Sequence, residues 1–270
     1  MSDSRIQMSV GIAGKVALVT GSIDGIGHAT ARALAAQGCH VMLHGLGDPV
    51  EIEAKRSALA ADSKGNIRFN GSDLSDLGQV QTLFETTERE LGPVEILVNN
   101  AVTRNFHSIE DLPIERWNYA LAVNLTAPFR LIQLALPGMK SRKWGRIVSI
   151  ASNWGLTGTV NRADYVASKH GVIGLTRAAA LEALPYNVTC NAIAPGSTLT
   201  PHAERQVRER MERGGKSWDE AAAELLAQRQ PSGRFVKPTQ VADLITFLCS
   251  EAASEMTGAP VSIDGGWLTI

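Results

Sequence analysis

Tyr165, Lys169 and Ser152 carry the side chains needed to move a proton to or from an alcohol oxygen. Tyr165 and Lys169 are four positions apart in a segment of helical composition, so they should share one helix face. A free tyrosine has a pKa of about 10, and a nearby ammonium lowers it by stabilising the phenolate. Such a pair can serve as acid and base between an alcohol and a ketone. Because this spacing also arises by chance, its meaning depends on the fold around it.

Seven short apolar runs alternate with segments of helical composition. They cover residues 15 to 20, 39 to 44, 66 to 70, 94 to 99, 145 to 150, 187 to 193 and 260 to 263. The alternation predicts an α/β fold in which a central parallel sheet is covered by helices on both faces. Asn124 and Ser152 come just past or between apolar segments, where the carboxyl ends of parallel strands converge on a ligand crevice.

Residues 200 to 232 interrupt this pattern with a stretch rich in Arg, Glu, Gln and Ala. They predict two polar helices inserted before the last strand, and such an insertion is a candidate lid over a site. We expect one domain, residues 1 to 270, that carries this lid.

The segment TGSIDGIG, residues 20 to 27, lies between the first predicted strand and the first helix. Gly21, Gly25 and Gly27 would allow a tight turn and bring a pyrophosphate close to the main chain at a helix N-terminus. A glycine-rich turn is often only a turn. Its place in the first strand–helix–strand unit favours a dinucleotide.

The end of the second predicted strand indicates NAD rather than NADP. It reads HGLGD, with His44 where an acid commonly holds the adenosine ribose. No Lys or Arg between Cys39 and Asp48 could receive a 2′-phosphate, and Asp24 would repel one. Asp24 could equally cap the helix or face solvent.

The composition excludes several classes of partner. The net charge is −1 with the two signs well mixed, so nucleic acid is not expected. Three cysteines without CxxC spacing indicate reduced thiols and no metal site. No run approaches the roughly 18 to 20 apolar residues of a membrane span. We expect a cytoplasmic protein that acts on a small molecule.

The sequence resembles the short-chain dehydrogenase/reductase family over nearly its whole length. The resemblance rests on TGSIDGIG, Asp73-Leu74, NNA (99 to 101), Asn124, Ser152, YVASK (165 to 169), PG (195 to 196) and DGG (264 to 266), in that family's order. It implies a single Rossmann-like domain, a nicotinamide cofactor, a homotetramer and the catalytic residues Asn124, Ser152, Tyr165 and Lys169. One departure is Val102, where the family usually has a glycine.

The resemblance also assigns roles. Tyr165 would exchange the proton, Lys169 would stabilise its phenolate and hold the nicotinamide ribose, Ser152 would hydrogen-bond the reacting oxygen, and Asn124 would hold a relay water. The implied cofactor-binding residues are Gly21, Ser22, Gly25, Ile26, Gly27, Leu46, Asp73, Leu74, Asn100, Ala101, Tyr165, Lys169, Pro195, Gly196, Thr198 and Thr200.

Within that family the sequence is similar to D-3-hydroxybutyrate dehydrogenases, in HGLGDPVEIE (44 to 53), IEDLPIERW (109 to 117), YVASKHGVIG (165 to 174), ELLAQRQPSGRFV (224 to 236) and VSIDGGW (261 to 267). Of the residues implied to contact substrate, Gln206 and Trp267 match those enzymes. Arg104, Trp154 and Arg162 stand where those enzymes have glutamine, histidine and lysine. Two arginines favour a more anionic or longer acid, and Trp154 favours substrate carbons over hydroxyls.

Other interpretations remain at this stage. The arginines could be solvated surface groups, Trp154 could pack under a loop, and Trp267 could lie at a subunit interface. The enzyme could instead be an NADP-dependent reductase or dehydrogenase of a larger ketone, polyol or sugar. A dinucleotide-sensing regulator is the non-enzymatic alternative.

Overall fold

The computed structural model describes residues 10–227 and 229–269. Within these ranges seven strands form one parallel sheet in the order β3-β2-β1-β4-β5-β6-β7. The strands are β1 Val16–Val19, β2 His40–His44, β3 Ile67–Asn70, β4 Val94–Asn99, β5 Gly145–Ile150, β6 Val188–Pro195 and β7 Pro260–Ile263. Each coincides with one of the seven apolar runs, although β6 extends two residues past its run, and the predicted single-domain Rossmann-like fold is confirmed.

Helices cover both faces of the sheet. They are α1 Gly25–Ala36, α2 Pro49–Ala61, α3 Leu77–Leu91, α4 Ile114–Leu121, α5 Ala127–Arg142, α6 Ala163–Ala183, α7 Pro201–Gly214, α8 Trp218–Leu226 and α9 Pro238–Cys249. One core cluster joins the sheet to α1 and α9 through Leu34 and Ile245, and a second joins it to α3 and α5 through Leu83 and Leu131. These apolar layers fix the strand ends from which the site is built.

The order of the sheet reverses at β1, which pairs with β2 on one side and β4 on the other. The chain segments that follow β1 and β4 therefore diverge and leave a crevice at the carboxyl ends of the strands. The glycine loop follows β1, and Ser152 follows β5 by two residues.

A continuous helical segment, Ile114–Arg142, is long and apolar enough to cross a membrane by length and composition. Half of its most apolar window is buried inside the fold, where Leu131 and Met139 pack in the core. Its position is that of a core helix against the sheet.

The polar insertion forms α7 and α8, as expected for two helices within residues 200 to 232. The start of α8 is fixed by a capping box, in which Ser217 and Glu220 exchange side-chain-to-backbone hydrogen bonds. Movement of these helices as a lid stays a prediction.

Candidate active site

The glycine loop after β1 leaves free backbone donors at the start of α1. Gly21 has φ +61°, and a Cβ there would lie 2.8 Å from the Cα of Ala101, so the loop needs glycine at this position. Asp24 is the N-cap of α1 but makes no capping hydrogen bond with its side chain. The first N–H groups of the helix therefore remain available to a phosphate, and the loop fits a dinucleotide.

Asp24 lines the neighbouring cavity instead of capping the helix. The side chain makes no capping hydrogen bond but is exposed, so the solvent-facing alternative stays open. In the wall of this cavity, the Asp24 carboxylate would disfavour the 2′-phosphate of NADP.

His44 at the end of β2 ties the glycine loop to the segment after β3. Its Nδ1 accepts a hydrogen bond from the N–H of Gly21 at 3.1 Å, and its Nε2 lies 2.8 Å from the carbonyl oxygen of Ser72. These partners require a neutral ring with the proton on Nε2. Burial lowers the pKa of His44, which favours that neutral form although the Ser72 carbonyl and Asp73 act the other way. Both ring nitrogens of His44 make hydrogen bonds within the protein, so the ring has no free nitrogen to bind the adenosine ribose.

Two adjoining cavities, of about 520 and 420 Å³, form one cleft along the strand ends and share Ile26, Arg104 and Thr200 in their walls. The larger is lined by predicted cofactor residues, namely Gly21, Gly25, Ile26, Leu46, Asp73, Leu74, Asn100, Ala101 and Thr200. Val102 also lines it. The smaller contains Pro195, Gly196 and Thr198 beside the predicted catalytic residues Ser152 and Tyr165. We call these the cofactor cavity and the catalytic cavity.

Ser22 and Gly27 lie in the wall of neither cavity. The buried Ser22 hydroxyl accepts a hydrogen bond from the N–H of His44 at 2.9 Å, which joins the loop to β2. A side chain at Gly27 would collide with the carbonyl oxygen of Gly21. Both residues therefore fix the conformation of the glycine loop without lining either cavity.

The catalytic cavity brings Ser152 and Tyr165 together next to Lys169. Lys169 is 3% exposed, and its Nζ donates to the carbonyl oxygen of Ile150 at 2.6 Å while lying 5.6 Å from the centroid of the Tyr165 ring. Burial by itself raises the pKa of Tyr165, but Arg104, Lys169, the Ser152 hydroxyl and Arg162 together lower it to about 8. Tyr165 is therefore poised to exchange protons near neutral pH.

Asn124 lies behind this cavity in a π-helical turn, Ala122–Thr126, between α4 and α5. Its side-chain amide is held by the Thr103 backbone, accepting from N–H at 2.8 Å and donating to the carbonyl at 3.0 Å. The residue four positions on is Pro128, which has no N–H, and the turn around Asn124 has the five-residue hydrogen-bond spacing of a π-helix. Binding of a relay water by Asn124 stays a prediction.

The predicted substrate residues all line the catalytic cavity: Arg104, Trp154, Arg162, Gln206 and Trp267. The rings of Trp154 and Trp267 meet edge to face, with centroids 4.6 Å apart. Asp264 positions Trp267 by accepting from the N–H groups of Gly266 and Leu268, each at 3.0 Å. This arrangement places both tryptophans in the wall of the site.

Arg162 lies over two aromatic rings, with its Cζ 4.3 Å from the centroid of Phe106 and 4.7 Å from that of Tyr165. Its Nε is buried without a hydrogen-bond partner. Burial lowers the pKa of Arg162, and the neighbouring cation Arg104 adds to this effect. An anion bound beside Arg162 would offset both the cost of burying its charge and the repulsion from Arg104.

Several residues of the catalytic cavity were not predicted from the sequence, among them Phe106, His202, Arg210 and Arg229. Of these four, His202, Arg210 and Arg229 lie within the polar insertion, and that position was the only signal for them. Among residues 10–227 and 229–269, no aspartate or glutamate lines this cavity and no group of His, Cys, Asp or Glu could hold a metal ion.

The model of the short chain dehydrogenase family matches residues 15–211. This chain is a short-chain dehydrogenase. As such it is an oxidoreductase that acts on a CH–OH group and uses a nicotinamide dinucleotide.

Curated relatives of this short-chain dehydrogenase include two D-beta-hydroxybutyrate dehydrogenases. The protein of Cupriavidus necator is 43% identical over 256 residues, 94% of this chain and 98% of the relative. That of Rhizobium meliloti is 39% identical over the same shares. A solved structure, L-sorbose reductase of Gluconobacter frateurii complexed with NADPH and L-sorbose, is 29% identical with a TM-score of 0.92 and covers 97% of this chain and 100% of its own.

Proposed function

We propose that this short-chain dehydrogenase oxidises a small 3-hydroxy acid, of the 3-hydroxybutyrate type, with NAD. The observation that carries the proposal is the position of Arg162 and Arg104 around the Tyr165 ring in a cavity whose described walls contain no carboxylate. A carboxylate there would bring the hydroxyl of a short acid to the catalytic tyrosine. The likeness to two D-beta-hydroxybutyrate dehydrogenases supports it.

In this proposal Ser152 donates a hydrogen bond to the substrate oxygen while Tyr165 removes the hydroxyl proton. Lys169 stabilises the phenolate by its charge, and the proton passes onward to a water held by Asn124. When bound, the nicotinamide dinucleotide supplies the hydride acceptor. The first N–H groups of α1 would hold its phosphates, and Pro195, Gly196 and Thr198 would contribute to binding it from the catalytic cavity.

Arg162 binds the carboxylate with the two parallel N–H groups that suit this anion, and Arg104 adds a second positive charge. Trp154 and Trp267 give the carbon chain an apolar wall. Gln206 supplies an uncharged hydrogen-bonding group from α7.

NAD is proposed over NADP because Asp24 lines the cofactor cavity and residues 39 to 48 contain no Lys or Arg. The basic side chains in that wall, among the described residues, are Arg104, Arg205 and two histidines. Arg205 belongs to α7, far in sequence from the ribose-binding segment after β2. The NADPH complex of L-sorbose reductase marks NADP as the alternative.

The test is a set of initial rates for graded 3-hydroxy acids and for a sugar alcohol, with NAD and with NADP, followed by NADH or NADPH absorbance. The proposal expects the highest kcat/KM for a 3-hydroxy acid with NAD. Turnover of the sugar alcohol alone would establish the alternative of a polyol or larger ketone with NADP. Binding of NAD without turnover of any alcohol would establish the sensor.

We further propose a cytoplasmic homotetramer with reduced cysteines. Cys39, Cys190 and Cys249 are all buried and free. Burial raises the pKa of each thiol to about 12, so these residues are packed and inert.

A further inference from the structure

The lid-side wall of the catalytic cavity carries a second pair of arginines, Arg210 and Arg229. Arg210 lies one helical turn after Gln206 on α7, and its Nη1 donates to the Gln206 carbonyl at 3.1 Å. Arg229 follows α8, and its Cζ lies 5.8 Å from the centroid of the Trp154 ring. The two cations therefore reach the cavity from separate elements.

The backbone next to Arg229 is fixed by hydrogen bonds of the Gln230 side chain. Gln230 is 2% exposed and accepts a hydrogen bond from the N–H of Ser197 at 2.7 Å. Its amide also donates to the carbonyl of Arg234. The backbone next to Arg229 is thus anchored to the segment that follows β6, while the side chain of Arg229 itself is exposed.

The charges in this cavity do not balance among the described residues. Ion pairs there include none with Arg104, Arg162, Arg210 or Arg229. Glu224, whose pKa is lowered by Lys216 and also by Arg210, forms its ion pair with Lys216 at 2.6 Å. Partial burial and Arg210 both lower the pKa of Arg229, and Arg229 in turn acts on Arg162. Like charges brought together in this way are stabilised by anions that bind between them.

We propose that Arg210 and Arg229 form a second anion subsite, so that the substrate is a 3-hydroxy acid with two anionic groups. This inference rests on the proposed function. One carboxylate binds at Arg104 and Arg162 beside Tyr165, and the second anionic group binds at Arg210 and Arg229. The carbons between them pack on Trp154, which lies next to Arg229 and Trp267.

The test compares acids with matched esters that lack the second charge. 3-Hydroxyglutarate is achiral but its monomethyl ester is chiral, so both enantiomers of the ester are assayed, and 3-hydroxyadipate extends the reach by one carbon. We expect kcat/KM with NAD to be about ten- to a hundredfold higher for one of these dianions than for its monomethyl ester, the effect of one charge-assisted hydrogen bond. The phosphate ester of 3,4-dihydroxybutyrate distinguishes a second carboxylate from a phosphate.

Variants assign the effect to the lid arginines. Arg229→Gln and Arg210→Gln should each lower the dianion-to-ester ratio toward one, mainly by raising the KM for the dianion. Arg229→Lys should restore part of the ratio. The matched control is Arg208→Gln, an exposed arginine of α7 outside the cavity wall, which should leave the ratio unchanged.

The outcomes separate this inference from the proposed function. Turnover of 3-hydroxybutyrate and both monoesters with no preference for a dianion overturns the second subsite and leaves the function standing. The same holds if the ratio is large but survives Arg229→Gln and Arg210→Gln. Failure of every 3-hydroxy acid, charged or esterified, overturns the proposed function itself.

Discussion

At the scale of single residues, Arg104 lowers the pKa of Tyr165 without itself exchanging a proton with the substrate. Its Cζ lies 5.7 Å from the centroid of the tyrosine ring, and it is the strongest of the cations that lower the tyrosine pKa. Oxidation needs the phenolate, so kcat/KM for oxidation should rise with pH and level off at or below about 8, since the oxidised cofactor adds positive charge. Reduction should show the opposite slope, because it needs the protonated phenol.

Arg104→Gln should move the limb of this pH profile to higher pH, because a cation beside the phenolate is lost. Profiles of kcat/KM for the wild type and the variant, at saturating NAD, measure the shift. Arg205→Gln is the control, since Arg205 lies in the cofactor cavity wall only. An unmoved limb in Arg104→Gln would show that the tyrosine pKa is set by the other neighbours, Lys169, Ser152 and Arg162, without Arg104.

Tyr165→Phe should lower kcat by at least about a thousandfold while NAD binds nearly as in the wild type, because the ring remains and only the proton acceptor is lost. Single-turnover rates and a fluorescence titration with NADH measure the two effects. Retention of more than a small fraction of the wild-type kcat would mean that another group takes the proton.

A site residue can be predicted from the sequence when local structure alone is enough to place its side chain. Tyr165, Lys169 and Ser152 stand at fixed offsets that one helix and one strand end convert into proximity. Arg210 and Arg229 lie in a polar stretch where any arginine resembles a solvated surface group. Their approach to one cavity depends on the packing of α7 and α8, which no spacing in the sequence expresses.

At the scale of elements, His44 links three strands through one ring, since it bonds the loop after β1 and the segment after β3. His44→Leu leaves the N–H of Gly21 without its acceptor, so the KM for NAD should rise about two- to tenfold. His40→Leu is the matched control, because it removes a similar bond, to the N–H of Asn66 at 2.9 Å, from the other end of β2. Equal effects of the two changes would show that only sheet stability is involved.

The same ring predicts an effect of pH on the stability of the fold. The pKa of His44 is lower in the fold than its ordinary value of 6.5, so the unfolded chain takes up the proton first. The stability that the neutral ring contributes is complete above about 6.5 and is lost as pH falls through the lower native pKa. Thermal unfolding measured between pH 8 and 5 should show a steeper loss in the wild type than in His44→Leu.

The two inserted helices should be better protected when NAD and substrate are bound than when the protein is free, because Gln206, Arg210 and Arg229 would close on the ligand. Hydrogen exchange of peptides covering α7 and α8 measures this, with α5 as the internal control. Unchanged protection of α7 and α8 would identify them as a fixed part of the wall.

Elements differed in how readily the sequence revealed them. The strands were predictable because buried parallel strands are short runs of apolar residues between helical segments, and β6 merely runs two residues further than expected, to Pro195. The π-helical turn at Asn124 was not, since it depends on Pro128 in a helix of otherwise ordinary composition. His44 stood out only as the absence of an acid, and its bonds across the sheet explain that absence.

At the scale of the whole molecule, we expect light scattering to give a mass near four times the 28.9 kDa of one chain. The expectation comes from the family resemblance. A mass equal to one chain at micromolar concentration would contradict it. The control is a repeat at tenfold dilution, which distinguishes a stable assembly from weak association.

The contact between Trp154 and Trp267 has a consequence for proteolysis. The last strand, β7, ends at Ile263, whereas Trp267 lies beyond it in a short 3₁₀ turn. A protease that cut after Gly266 would therefore leave the seven described strands in place but take away one wall of the catalytic cavity. Such a cut would change which substrates are accepted well before it unfolded the protein.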